Sequence, residues 1–130
     1  MTDKTANPER GEIEIELVTL SGDRQTFILR PTWEAMVEIE TRTGMGMIAM
    51  ANKLSSFQFG FIEAVAIITA GLKAGGDPAK IEMVGPMIFK TGLTKLISPL
   101  QEFVTNALTG GEPPGEPDQG EAKAAGRKKK

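Results

Sequence analysis

Carboxylates are the side chains best placed to do chemistry in this sequence. Glu12, Glu14 and Glu16 alternate along Glu-Ile-Glu-Ile-Glu-Leu, so in an extended strand they share one face and could offer oxygens to a hard divalent cation. No second carboxylate cluster converges on them, and a row of glutamates is also how an edge strand stays solvated. The solvated strand is the simpler reading. Glu38 and Glu40 stand two apart, which on a helix points them to different sides and prevents an acid–base pair. The run Gly44-Met45-Gly46-Met47-Ile48-Ala49 has the letters of a dinucleotide fingerprint, but such a loop must follow a strand and open a long helix. Here a helical segment precedes it, so a helix stop, a turn and a new helix are expected.

The missing residue types narrow function further. The chain has no His, no Cys and no Tyr, which removes imidazole acid–base catalysis, thiolate nucleophiles, Ser-His-Asp triads and thiolate or imidazole zinc sites together. The expectation is a non-enzymatic binding protein with no cofactor and no metal. Lack of cysteine excludes a disulfide framework and suits a reducing cytoplasm. The start, 1–11, is polar and unlike a secretory signal. The most apolar run, 57–72, is interrupted by Gln58, Glu63 and Thr69 and falls short of the roughly 20 residues a bilayer requires, so no membrane partner is expected.

The elements that would position a binding surface follow from periodicity. At 130 residues with 40% apolar and 25% charged side chains, one globular core is expected. Ile13, Ile15 and Leu17 share a strand face opposite the glutamates, and Gln25 to Arg30 brings Phe27 and Leu29 to a common face after the turn signal Ser21-Gly22-Asp23. A three-residue loop, Ser21 to Asp23, would pair Leu17 with Phe27 and Ile15 with Leu29. Thr32 reads as the N-cap of a helix ending at Thr43-Gly44, with Trp33, Met36 and Val37 on one side. A shorter helix, 47–54, follows, then a helix from Phe61 that is apolar nearly all round and therefore central and buried. Asp77-Pro78 signals another helix start. Pro86 and Pro99 each threaten helix continuity, which predicts a kink or restart at Gly85-Pro86 and helices of about 87–97 and 99–108.

The fold class expected is therefore α+β, mostly α: an N-terminal β-hairpin followed by a bundle of about four to five helices. Residues 1–10 read as a flexible N-terminus, 11–109 as a single domain, and 110–130 as a disordered tail, since no apolar side chain larger than Ala follows Leu108. Within that tail, 112–121 carry acids without bases and 122–130 carry Lys123, Arg127, Lys128, Lys129 and Lys130 without acids. With a net charge of only −2, the basic end reads as solubilising in preference to a nucleic-acid hook. Methionine is abundant, and flexible thioethers either fill cores or form adaptable partner surfaces. Met45, Met47, Met50, Phe57 and Phe59 flank loops and are the candidate exposed, partner-binding subset.

The run Leu29-Arg30-Pro31-Thr32-Trp33-Glu34-Ala35-Met36, then Ile39-Glu40 and Thr43-Gly44, resembles a family found in tailed phages and gene transfer agents, whose members are described as tail tube proteins and as tail assembly chaperones. The apolar helix ending Ala-Gly-Leu-Lys-Ala-Gly-Gly, and Val84-Gly85, Ile88-Phe89, Gly92-Leu93 and the Pro99–Phe103 stretch, extend the likeness over about residues 10–108. Pro86 departs from it, standing where a helix former is expected. The resemblance implies a role in building a tail within the bacterial host cell. Its first form is an assembly chaperone that binds the tape-measure protein, with the tail tube protein or further copies of this chain as additional partners. Its second is a permanent, virion-associated subunit of the tail, against which the low strand content of one hairpin counts. If Lys128 to Lys130 are encoded by an adenine-rich slippery run, a frameshifted longer product is a further expectation.

Overall fold

The hydrophobic alternation at the N-terminus and the helical periods after it produce the expected order of elements. The computed structural model describes residues 5–110. It contains an antiparallel hairpin, β1 (Ile13–Val18) and β2 (Arg24–Leu29), followed by α1 (Trp33–Thr43), α2 (Met47–Ser55), α3 (Phe61–Ala74), α4 (Ile81–Thr91) and α5 (Ile97–Leu108). The disorder expected of 110–130, the basic end and the Lys128–Lys130 run lie, apart from Gly110, outside the described residues.

The hairpin buries Ile13, Ile15, Leu17, Phe27 and Leu29 on one face, as the alternation requires. Its register differs from expectation by two residues: Ile13 pairs with Leu29, Ile15 with Phe27 and Leu17 with Gln25. The loop has three residues, but they are Leu20 to Gly22. Thr19 N donates to Asp23 O at 2.7 Å and Gly22 N to Thr19 O at 2.9 Å. Gly22, at φ 97°, takes the left-handed position that closes such a loop, which a glycine does without steric cost. Moving the loop back by one residue shifts every pair by two, so the faces survive.

Helix α1 starts and stops where its caps dictate. Thr32 Oγ1 accepts from Ala35 N at 3.1 Å, and Gly44, at φ 68°, donates its N–H to Glu40 O. Its core face is Ala35 and Ile39, not Trp33 and Val37, which point to solvent; Met36 is partly buried against the core. Helix α3 is central. It is flanked by α1 and α4 and lies on β2, while α2 packs on α5. At Gly71 an added Cβ would come within 3.1 Å of Leu29 Cβ and 3.2 Å of Phe103 Cε1, so the absence of a side chain there lets α3 settle onto the hairpin and α5.

The second half departs from the proline reading. Asp77-Pro78 does not open a helix; α4 begins at Ile81 after the cap Lys80. Pro86 sits inside α4 without ending it. Both Pro86 and Glu82 are exposed, so the Glu82 carbonyl that loses its intrahelical donor faces water, where it can be hydrated. The break comes instead at Gly92, φ 100°, followed by a 3-10 turn at Leu93–Leu96. Pro99 falls in the first turn of α5, where no intrahelical acceptor awaits its missing N–H.

The segment before β1 is tied to the body. A 3-10 turn at Pro8–Arg10 is capped by Asn7, Asn7 N donates to Glu12 Oε1 at 2.8 Å, and Arg10 pairs with Glu12 at 3.2 Å. Asn106 Nδ2 on α5 donates to Gly11 O at 3.0 Å in a buried contact, which brings the end of the last helix beside the start of the first strand.

Candidate functional site

The glutamates that opened the sequence reading are each used locally. Glu12 is buried and bonded to Asn7 and Arg10, Glu14 accepts from Ala6 N at 3.2 Å, and Glu16 pairs with Arg24 at 3.4 Å. Among the described residues no group of three or more acids, His or Cys is placed to hold a metal ion. Gly44–Gly46 is the helix stop and turn between α1 and α2, and Glu40 Oε2 reaches forward to accept from Met47 N at 2.9 Å. Glu40 therefore caps a helix.

The candidate partner-binding subset is mostly interior. Met47 and Met50 are buried in the core, and Met45 and Phe59 are partly buried against it; Phe57 alone of the five is exposed, at 70%. The reason lies in the period of α2: Met47, Met50 and Leu54 recur on one face, and that face meets α5. Flanking a loop does not by itself expose a residue. Ile48, on the opposite side of α2, is the exposed one.

Two other surfaces carry large exposed apolar side chains. The first is a groove of about 400 Å³ along the outer side of α3, lined by Arg42, Phe61, Ile62, Val65, Ala66 and Ile81. Phe61 packs on Phe89 of α4 with ring centroids 6.0 Å apart, which extends the groove across the two helices. Ile62 is 73% and Phe89 74% exposed. The second is the solvent side of α1, where Trp33, 76% exposed, stands one turn from Val37. A further cleft of about 380 Å³ lies between the hairpin tip and α4, floored by Phe27, Leu72, Val84 and Met87 with Leu20 and Met83 at its mouth.

Charged side chains frame these surfaces. Glu38 binds both Arg42, at 3.3 Å, and Lys73, at 3.1 Å, which ties α1 to α3. Glu63 stands in the first turn of α3 facing Lys53 of α2: partial burial pushes its carboxyl up, but the N–H of Gly60, its own N–H and Lys53 at 3.2 Å together outweigh that and hold it below its ordinary value. An ionised Glu63 thereby satisfies the Gly60 N–H at the start of α3, as the N3 acid of a capping box does. No nucleophile–base pair and no phosphate cradle accompanies these surfaces among the described residues. What they can do is remove apolar area from water against a partner.

Sequence reasoning gives none of Trp33, Ile62 and Phe89 a surface role: it groups Trp33 with Met36 and Val37 on one side of α1, takes Ile62 into a helix expected to be buried, and assigns Phe89 to neither core nor surface. On α1 the available signal was a second apolar stripe, Trp33 with Val37, beside Ala35 and Ile39; on α3 the core covers 64–72 nearly all round and leaves only the first turn, Phe61 and Ile62, outside.

Residues 13–110 match a family model described as phage tail tube protein, GTA-gp10. No curated protein and no solved structure matches the chain.

Proposed function

The chain belongs to the phage tail tube protein family, GTA-gp10, and we propose that it is a structural subunit of a phage-type tail, present in many copies and performing no chemistry of its own. The observation that carries this reading is the extent of the match: residues 13–110 take in both strands and all five helices, so the likeness is to the whole folded unit. The surface agrees with it. Large apolar side chains left in water on separate sides suit a subunit with neighbours on each side, whereas an isolated protein rarely keeps such patches. Among the described residues no helix is long and apolar enough to cross a membrane, so these patches read as faces for protein partners.

A second reading is an assembly chaperone that binds the tape-measure protein and leaves before the tail matures. One observation favours it: among the described residues strand is confined to a single hairpin, little material for a tube wall made of extended sheet. Quantitative mass spectrometry of purified particles separates the two. Many copies per particle is the result expected of a subunit; absence from particles, with recovery of the tape-measure protein alongside this chain from lysates, would replace it with the chaperone.

A further inference from the structure

We propose that copies of this chain meet head to tail, the Trp33–Val37 face of α1 on one copy seating in the Phe61–Ile62–Phe89 groove of α3 and α4 on the next. The inference rests on the subunit reading for its premise that copies meet; the choice of faces rests on the geometry. Trp33 and Arg42 are nine residues apart on α1, about half a turn round the helix. Arg42 lines the groove and Trp33 points away from it, so the two faces are separate and cannot satisfy each other within one molecule. A contact between two different faces is heterologous, and repeats of it generate a ring or a helical stack.

The faces match in size and in charge. An open apolar groove of about 400 Å³ takes an indole, the side chain most often found anchoring interfaces, and the Arg42 guanidinium in its wall can lie against that ring. Exposed Glu34 adjoins Trp33, and exposed Glu40, whose Oε2 also accepts from Met47 N, lies one turn on from Val37. Exposed Lys80 and Lys90, by contrast, adjoin Ile81, which lines the groove, and Phe89, which packs on its Phe61. Glu82 on the same rim offsets part of that positive charge, and Glu38 already engages Arg42. Seating two copies of the groove face to face would bring Lys80 and Lys90 against their own kind. The opposite signs favour the unlike pairing, which sets register more than affinity.

Trp33 is the single tryptophan and the chain has no cysteine, so both a clean fluorophore and clean crosslinking are at hand. Sedimentation velocity and tryptophan emission are followed together as the full chain is concentrated. Association accompanied by a blue shift of Trp33 is expected. Ile62→Glu, on the other face, should abolish both, and Trp33→Ala should weaken association by about thirty-fold or more. Both sites are exposed, and far-UV circular dichroism confirms that the variants fold. In a mixture of Val37→Cys and Ile62→Cys proteins, the unlike disulfide should exceed either like pair. Association with unshifted emission, a predominance of like pairs, or no association at any concentration overturns the contact. None of those results bears on copy number in particles, which tests the subunit reading by itself.

Discussion

Met50 and Ile48 stand two residues apart on α2 and have opposite fates, one fully buried and the other in water. Met50→Ala should cost about 2–5 kcal/mol by opening a cavity in the core, and Ile48→Ala should stay within about 0.5 kcal/mol, both read from urea denaturation midpoints. Their difference was written in the sequence as the spacing 47, 50, 54; position beside a loop obscured it. Glu63 gives a second residue-scale test. Its carboxyl is held below the ordinary value of 4.5 in the folded state, so the ionised form stabilises the fold. That contribution is complete above about pH 4.5 and is lost as pH falls through the lower folded-state value. Glu63→Gln should flatten the acid limb of the stability profile in that window, and Glu63→Ala should cost about 1 kcal/mol at neutral pH as a lost cap. An unchanged acid limb in Glu63→Gln would remove the carboxylate from the account.

The bounds of α1 were legible from its caps, and α5 was legible within two residues of Pro99, but Asp77-Pro78 and Pro86 misplaced the bounds of α4. Thr32 and Gly44 fixed α1 because each supplies a specific bond or backbone angle. Pro86 misled because its cost depends on which way the orphaned carbonyl faces, and that is decided only when α4 packs on α3. Pro86→Ala restores a donor to Glu82 O and should raise stability, by up to about 3 kcal/mol; a loss would mean that the proline shapes the helix in a way its exposure does not reveal. Gly71→Ala tests the close approach of α3 to the hairpin and α5. The helix propensity of Ala favours it by about 1 kcal/mol, but contacts at 3.1–3.2 Å to Leu29 and Phe103 should make the sum destabilising, by about 1–3 kcal/mol. The hairpin register escaped sequence reasoning for a related reason, since Gly22 could serve as either the second or the third loop residue and only the left-handed closing position resolves it.

At the scale of the molecule, the hairpin face, the central α3 and the α2–α5 pair use up the apolar residues that a single core can hold, and the surplus remains outside on α1, α3 and α4. That surplus is what the proposed subunit would bury against its neighbours. The fold class was readable from periodicity, whereas the surface was not, because periodicity separates core from solvent but does not show which apolar stripe the core leaves over. The tail family was legible in short segments such as Arg30-Pro31-Thr32-Trp33 spread over about residues 10–108, and the family match covers nearly the same stretch, residues 13–110. The central claim, that this chain is a tail subunit present in many copies, is tested most directly by counting it in purified particles by quantitative mass spectrometry against a protein of known copy number. The account predicts many copies per particle; a chain that is abundant in the producing cell and missing from the particle would contradict it.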